Sequence, residues 1–374
     1  MIDFALTERH MKHRRVLVFL GLIVLGVTGV VMWRVLPLVH PPPALLPLSR
    51  KLAPIPSHGM FYAWQSNDSY VQYVFYPPSG MKQVDLRTGE EKSLSGWEQL
   101  GKTPRRYTLS PDCKKAFWED SDGLRSSSFG ASSPTYTTPR RKDFWATASQ
   151  PVWMPDSKRW IQLFAGSQGL VAVVHAEGKT SPEQEIKIGN PKGTSSGYGL
   201  LRIHLIGVTP TGSVLATSEA GSNHQSPHLT RHIPFFEFSL DPARPKFREY
   251  TIELPRAGAR FESEFTLAMD EEIELSPQGD HLAWLVHRQV NSPSPGWLSR
   301  WLPRASVAPR FYTELRVTDP DGTNVRTIGS IEWKPQSRNN AAERPYRMHW
   351  LPDGRHISFI YDGSLWAVPT RERE

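Results

Sequence analysis

Apolar and polar positions along the chain follow two regimes. The first is one unbroken apolar run, Val16 to Trp33 (VLVFLGLIVLGVTGVVMW), with no charged residue in it. Its eighteen residues predict a helix of about 27 Å at ~1.5 Å per residue, close to the thickness of a bilayer's hydrocarbon core. Val35–Val39 extend it past Arg34, which can snorkel to the headgroups beside Trp33. The second regime fills the rest of the chain, where short stretches alternate apolar and polar residues between turn formers. Six segments align without gaps: WQSNDSYVQY from Trp64, LSPDCKKAFW from Leu109, WMPDSKRWIQ from Trp153, VTPTGSVLAT from Val208, LSPQGDHLAW from Leu275 and WLPDGRHISF from Trp350. Each opens on an apolar residue, five of six carry Pro two places on, and an apolar residue returns at the seventh place: Val71, Ala116, Trp160, Leu215, Leu282 and Ile357.

Pro presets φ for the second position of a turn, and Asp, Asn or Gly tolerate the positions after it. The turn positions are Asp68, Asp112, Asp156, Gly212, Gly279 and Gly354. Apolar residues two apart beyond the turn face one way from a strand. Each segment therefore predicts a strand, a tight turn and a second strand. MKQVDL from Met81, LRVTDPDG from Leu315 and SLWAVP from Ser364 read as third strands, so the repeating unit is a four-stranded antiparallel sheet.

This pattern resembles the W-S-P-D-G-x-x-I-A-F repeat of TolB-like propellers, the WD40-like group called PD40, with LPDGRHISF its best copy and LSPQGDHLAW and LSPDCKKAFW next. The resemblance covers residues 57–374 and implies an all-β propeller. It also implies a surface for protein contact or a sensor-like periplasmic domain, and it transfers no catalytic residue. Spacings between anchors are 45, 44, 55, 67 and 75 residues. Six blades fit them, with seven the competing count if the long spacings hide a degenerate blade. An open sandwich with Pro-Asp-Gly turns is the competing architecture. The last unit lacks an outer strand before Glu374, and Ala44–Ile55 is the candidate to supply it.

Composition then sharpens the organisation. Pro is 33 of 374 residues, about twice the ordinary share, which excludes long uninterrupted helices outside the apolar run. Seven of those prolines fall between residues 37 and 56, predicting a polyproline II tether. The chain is thus read as a tail at 1–15, a transmembrane signal anchor at 16–39, a Pro-rich tether at 40–56 and a propeller at 57–374. A cleaved secretory signal is the competing reading of the start, but the run exceeds the usual ~7–15 residues and no Ala-x-Ala-like site follows. Arg9, Lys12, Arg14 and Arg15 precede the anchor against Asp3 and Glu8, while only Arg34 follows closely. The positive-inside rule places the N-terminus in the cytoplasm and the propeller outside, at the inner membrane. The formal charge of +7 includes no Lys/Arg run able to track a phosphate backbone, so nucleic acid is not expected as a partner. One Cys excludes a disulfide framework and any Cys-rich zinc module.

Candidate chemistry is sparse. Gly193-Thr194-Ser195-Ser196-Gly197 matches a nucleophile-elbow pattern, but a strand-like segment follows it where a helix is required, and it reads as a loop. His224, His228 and His232 are four apart, yet Pro227 lies within the run and no carboxylate completes a metal set. Asp270, Glu271, Glu272 and Glu274 read as a solvated strand end. Cys113 stands where the best repeat has Gly354. In the insertion between strands Leu282–Val290 and Tyr312–Val317, Trp297, Leu298, Trp301 and Leu302 share one face of a short helix, flanked by Arg300 and Arg304. Trp297, Arg300, Trp301 and Arg304 are the candidate partner-binding residues, since Trp and Arg dominate binding hot spots. The competing readings pack this helix onto its own blade or lay it on the membrane surface.

These features predict a membrane-anchored propeller that is not an enzyme and carries no cofactor and no metal, acting as a protein- or ligand-binding scaffold. The alternative is a periplasmic propeller hydrolase or lyase, glycan-active among the options, with carboxylates or His converging on the central channel.

Overall fold

In a computed structural model, the described residues run from Ala44 to Thr370, excepting 56–59, 75–79, 95–106, 120–122, 129–135, 140–145, 148–150, 167–168, 180, 190–202, 219–231, 242, 244–245, 254–261, 265–272, 291–309 and 334–343. The apolar run at 16–33 therefore lies outside them, and no helix among the described residues is long and apolar enough to cross a membrane.

The described chain forms six antiparallel sheets. The first holds β2 (Met60–Ser66), β3 (Ser69–Val74), β4 (Gly80–Asp85) and β5 (Glu91–Ser93). The second holds β6 (Tyr107–Leu109), β7 (Lys115–Glu119), β8 (Gly123–Ser128) and β9 (Tyr136–Pro139). In the third, β10 (Ala146–Thr147) and β11 (Val152–Trp153) share the inner position beside β12 (Arg159–Gly166), then β13 (Gly169–Ala176) and β14 (Gln184–Gly189). The fourth is β15 (Ile203–Val208), β16 (Ser213–Ser218), β17 (His232–Ser239) and β18 (Phe247–Glu253). The fifth splits its inner strand into β19 (Glu262–Glu264) and β20 (Ile273–Leu275), followed by β21 (Leu282–Val290), β22 (Arg310–Thr318) and β23 (Arg326–Trp333). The sixth is β24 (Tyr346–Trp350), β25 (His356–Tyr361) and β26 (Ser364–Pro369), completed by an N-terminal outer strand, β1 (Arg50–Pro54).

β1 pairs antiparallel with β26 from Arg50↔Ala367 to Pro54↔Ser364, with a register shift between Lys51 and Ala53. Ahead of it, α1 (Leu45–Leu48) buries Leu45 completely, and Ala44 forms an isolated parallel bridge to Ser330 on β23. The part of the Pro-rich stretch from Leu45 onward is thus built into the propeller, strapping the fifth blade to the sixth. Inner strands meet in ring order: β11 beside β15, β15 beside β20, β20 beside β24, and β24 beside β2. The sixth blade touches the first directly, so the described residues close a ring of six sheets. Between the later anchors, the described residues form no sheet beyond these six.

The repeat explains the blades residue by residue. In the five Pro turns, the residue before Pro accepts the N–H three places on: Cys113 to Ser110, Ser157 to Met154, Gly212 to Thr209, Gly279 to Ser276 and Gly354 to Leu351. The donating residue in each is left-handed, with φ of 53°, 54°, 82°, 71° and 62° in that order. The Asp between caps its own turn: Asp156 Oδ1 accepts the N–H groups of Lys158 and Arg159, and Asp353 Oδ1 those of Arg355 and His356. Beyond the turn, paired positions two apart enter the layers between blades. Ile357 and Phe359 join Met348, Leu315 and Val317, whereas Leu282 and Trp284 join Leu215 and Phe235.

Candidate functional site

The repeat turns form much of one rim of the ring, because each links an inner strand to the second strand of its blade. The Asp112 N–H donates to Ser157 Oγ at 3.1 Å, joining the second blade to the third. The Asp353 N–H donates to Asn67 Oδ1 at 3.0 Å, joining the sixth to the first. A Cβ on Gly279 would lie 2.9 Å from Pro210 Cδ, and one on Gly354 only 1.7 Å from Gln278 Oε1. The fourth and fifth turns therefore touch at Gly279 against the rigid Pro210 ring, while at Gly354 the fifth turn reaches the sixth through the movable Gln278 side chain.

Asp112 and Asp156 fill the turn place just ahead of the one held by Gly212, Gly279 and Gly354, so Cys113 and Ser157 are the true counterparts of those glycines. Both non-glycine residues use their side chains on the preceding blade. Ser157 Oγ takes the Asp112 N–H, and Cys113 Sγ lies 3.4 Å from the carbonyl oxygen of Trp64. Burial, helped by the Asp112 charge, pushes the Cys113 thiol up to about 12, so it is a packing group and not a nucleophile. Asp68 sits in the tight turn between β2 and β3, half-exposed, with Arg87 Nε 3.6 Å away.

Between two inner strands, Glu274 on β20 clasps β24. Its Oε1 lies 3.2 Å from His349 Nδ1, its Oε2 accepts the Trp350 N–H at 2.9 Å, and its carbonyl accepts the Trp350 indole at 3.1 Å. The acidic run expected to be a solvated strand end thus contributes one side chain that stitches two blades; Asp270, Glu271 and Glu272 lie outside the described residues. Tyr62 from β2 stands edge-on to His349, ring centroids 4.8 Å apart, and donates its hydroxyl to the Arg347 carbonyl at 2.7 Å. Burial raises the Tyr62 phenol well above its ordinary value, against the pull of its bond to Ser358. Among the described residues, no three His, Cys, Asp or Glu side chains converge as a metal site.

A cleft of about 430 Å³ opens between the fourth and fifth blades. One wall is the β15–β16 turn with Glu237, Arg248 and Tyr250 from β17 and β18; the other is Gln278 and Gly279 with the β22–β23 turn, Asp319 to Asp321. Leu215, Glu237 and Arg248 stand opposite one another across three strands and so share a face. The Tyr250 hydroxyl donates to the Pro320 carbonyl at 2.6 Å, pinning the walls at a fixed separation. Deeper in the same layer, Glu314 and Arg316 form an ion pair at 2.7 Å with each side chain only 4% exposed. No local spacing links residues 210, 250, 278 and 320, so this cleft was invisible to a reading of repeats.

Trp297, Arg300, Trp301 and Arg304 lie outside the described residues, as do His224, His228 and the segment 193–197. The backbone of His232 begins β17.

Six antiparallel blades, two of them with a split inner strand and the last closed by an N-terminal outer strand, define a six-bladed β-propeller with a cleft in its turn rim. No protein-family model matches the chain, and no curated protein matches it in sequence. Among solved structures, the chain is similar to oligogalacturonate lyase from Vibrio parahaemolyticus, at 9% identity over 86% of this chain and 93% of that one, with a TM-score of 0.46. It is also similar to TolB from Acinetobacter baumannii, at 12% identity over 86% of this chain and 66% of that one, with a TM-score of 0.40. Blade count and closure rest on the strand pairing itself.

Proposed function

We propose that this chain is a non-catalytic scaffold that binds a protein partner on the rim of its propeller, held at the inner membrane by residues 16–39 with the propeller on the periplasmic side. The observation that carries the reading is the cleft between the fourth and fifth blades, open to solvent and lined by charged and hydroxyl side chains from four separate turns and strands. Sites of this volume, with a few placed polar groups and pinned walls, suit recognition more than packing. The Trp297–Arg304 insertion is proposed from its sequence as a second contact.

Cross-linking in intact membranes followed by affinity capture tests the reading. A discrete partner is expected with wild-type protein and less of it with the Trp297→Ala/Trp301→Ala variant. Capture of no partner contradicts the scaffold, and identical capture by both proteins removes the insertion from it.

A second reading, a hydrolase or lyase acting at the channel, draws on the Glu274–His349 pair, whose side chains are 33% and 35% exposed. A histidine held by a carboxylate is a recurring base arrangement. Glycan or ester turnover abolished by His349→Gln, in protein of unchanged melting temperature, would favour it.

A further inference from the structure

The chemistry of the cleft between the fourth and fifth blades defines a ligand class, and this inference rests on the scaffold reading above. We propose that the cleft receives a cationic side chain, lysine or arginine, from an extended segment of the partner polypeptide. Its lining carries three carboxylates, Glu237, Asp319 and Asp321, against one guanidinium, Arg248. Glu237 is matched by Lys246 at 2.8 Å. The Asp319–Asp321 turn is held differently. Asp319 Oδ2 accepts from the Asn324 amide at 2.6 Å, and Asp321 Oδ1 accepts the Thr323 hydroxyl at 2.6 Å and its N–H at 3.0 Å. These bonds to Thr323, with Arg248 as a lesser influence, hold the Asp321 carboxyl below its ordinary range, so it stays ionised while exposed. His281 Nδ1 lies 3.6 Å from Asp319 Oδ1. Neutral donors thus orient the turn's carboxylates and leave negative charge at the mouth for an incoming cation.

Other ligand classes fit less well. The Tyr250 ring is engaged by the Arg248 guanidinium, 5.1 Å from its centroid, and by Phe235 stacked at 5.7 Å. A sugar or planar ring would have to displace one of them before stacking there. An anion would meet the carboxylates of Asp319 and Asp321. A lysine or arginine stem can instead lie along the exposed Pro210 ring, with its head on the Asp319–Asp321 turn. Thr211 and Gln278 at the edges offer hydroxyl and amide groups to the backbone of the same segment.

The test is calorimetric titration of the full chain in detergent micelles with acetylated, amidated Gly-Lys-Gly and Gly-Arg-Gly, their Gln and Glu counterparts, and free spermidine. The Lys and Arg peptides are expected to bind, more weakly as salt is raised, and the Gln and Glu peptides not to bind. Asp319→Asn/Asp321→Asn is expected to lower affinity about tenfold or more, the scale of a charged hydrogen bond. Thr211→Trp, which narrows the mouth and leaves the carboxylates in place, is expected to do the same. Asp68→Asn removes a charge at a distant turn and is expected to change nothing. Absence of binding, equal loss with Asp68→Asn, unchanged binding in both cleft variants, or spermidine binding as tightly as the peptides would each overturn the assignment. Wild-type protein that captures a partner in membranes yet binds neither cationic peptide overturns the ligand class and leaves the scaffold standing. Failure to capture any partner overturns the scaffold, and this inference with it.

Discussion

Gly212 and Gly279 hold the same place in neighbouring turns, yet a side chain meets different surroundings at each. An added Cβ on Gly212 has nothing within 4 Å, whereas on Gly279 it would strike the Pro210 ring and Thr209. Gly212→Ala should therefore cost only the left-handed penalty, about 1–2 kcal/mol, while Gly279→Ala adds overlap for about 2–4 kcal/mol in all. Urea unfolding followed by Trp fluorescence checks the order: wild type, then Gly212→Ala, then Gly279→Ala. Titratable groups predict a second outcome. Burial, more than any neighbouring charge, pushes Cys113 and Tyr70 up to about 12. A raised pKa in the folded state means that the stability it contributes is complete below the ordinary thiol and phenol values, about 8.5 and 10. It is lost as pH climbs toward 12. Stability should hold from neutral pH to about 8.5 and then fall, with tyrosinate absorbance rising together with unfolding. At this scale the turn residues were legible, because Pro, Asp and Gly act on their own backbone. The clasp of Glu274 on His349 and Trp350 was not, because it joins residues about 75 apart in sequence and depends on two blades standing side by side.

Strand β1 is the element on which closure turns. Its pairing with β26 covers an edge that would otherwise offer unpaired backbone groups to other chains. Lys51 adds its ammonium 5.9 Å from the centre of the Trp366 ring. Leu45→Ala should cost about 2–5 kcal/mol, the range for emptying a buried leucine site. A chain beginning at residue 44 should remain monomeric by light scattering, whereas one beginning at 57 should aggregate. The unfinished blade at the C-terminus made an N-terminal partner legible, since SLWAVP needs a neighbour. The docking of α1 and Ala44 beside β23 was not legible, because only ring closure brings the fifth blade alongside that segment.

For the whole molecule, the gapless repeats predicted six hairpins and the strand pairing yields six blades. The competing count of seven arose from spacings of 67 and 75 residues, and the described residues there pair into no further sheet. The cleft between the fourth and fifth blades is a property of the ring, assembled from residues that no period relates. Orientation is checked by a C-terminal reporter active only in the periplasm: activity is expected, and activity of a cytoplasmic reporter instead would reverse the topology. The most direct test of the scaffold reading places a photoactivatable benzophenone residue at Thr211, on the cleft, and in a second protein at Lys187, exposed on outer strand β14. Irradiation of intact membranes should give one discrete cross-linked adduct from position 211 and none from position 187. No adduct at 211, or the same adducts from both positions, would contradict the account.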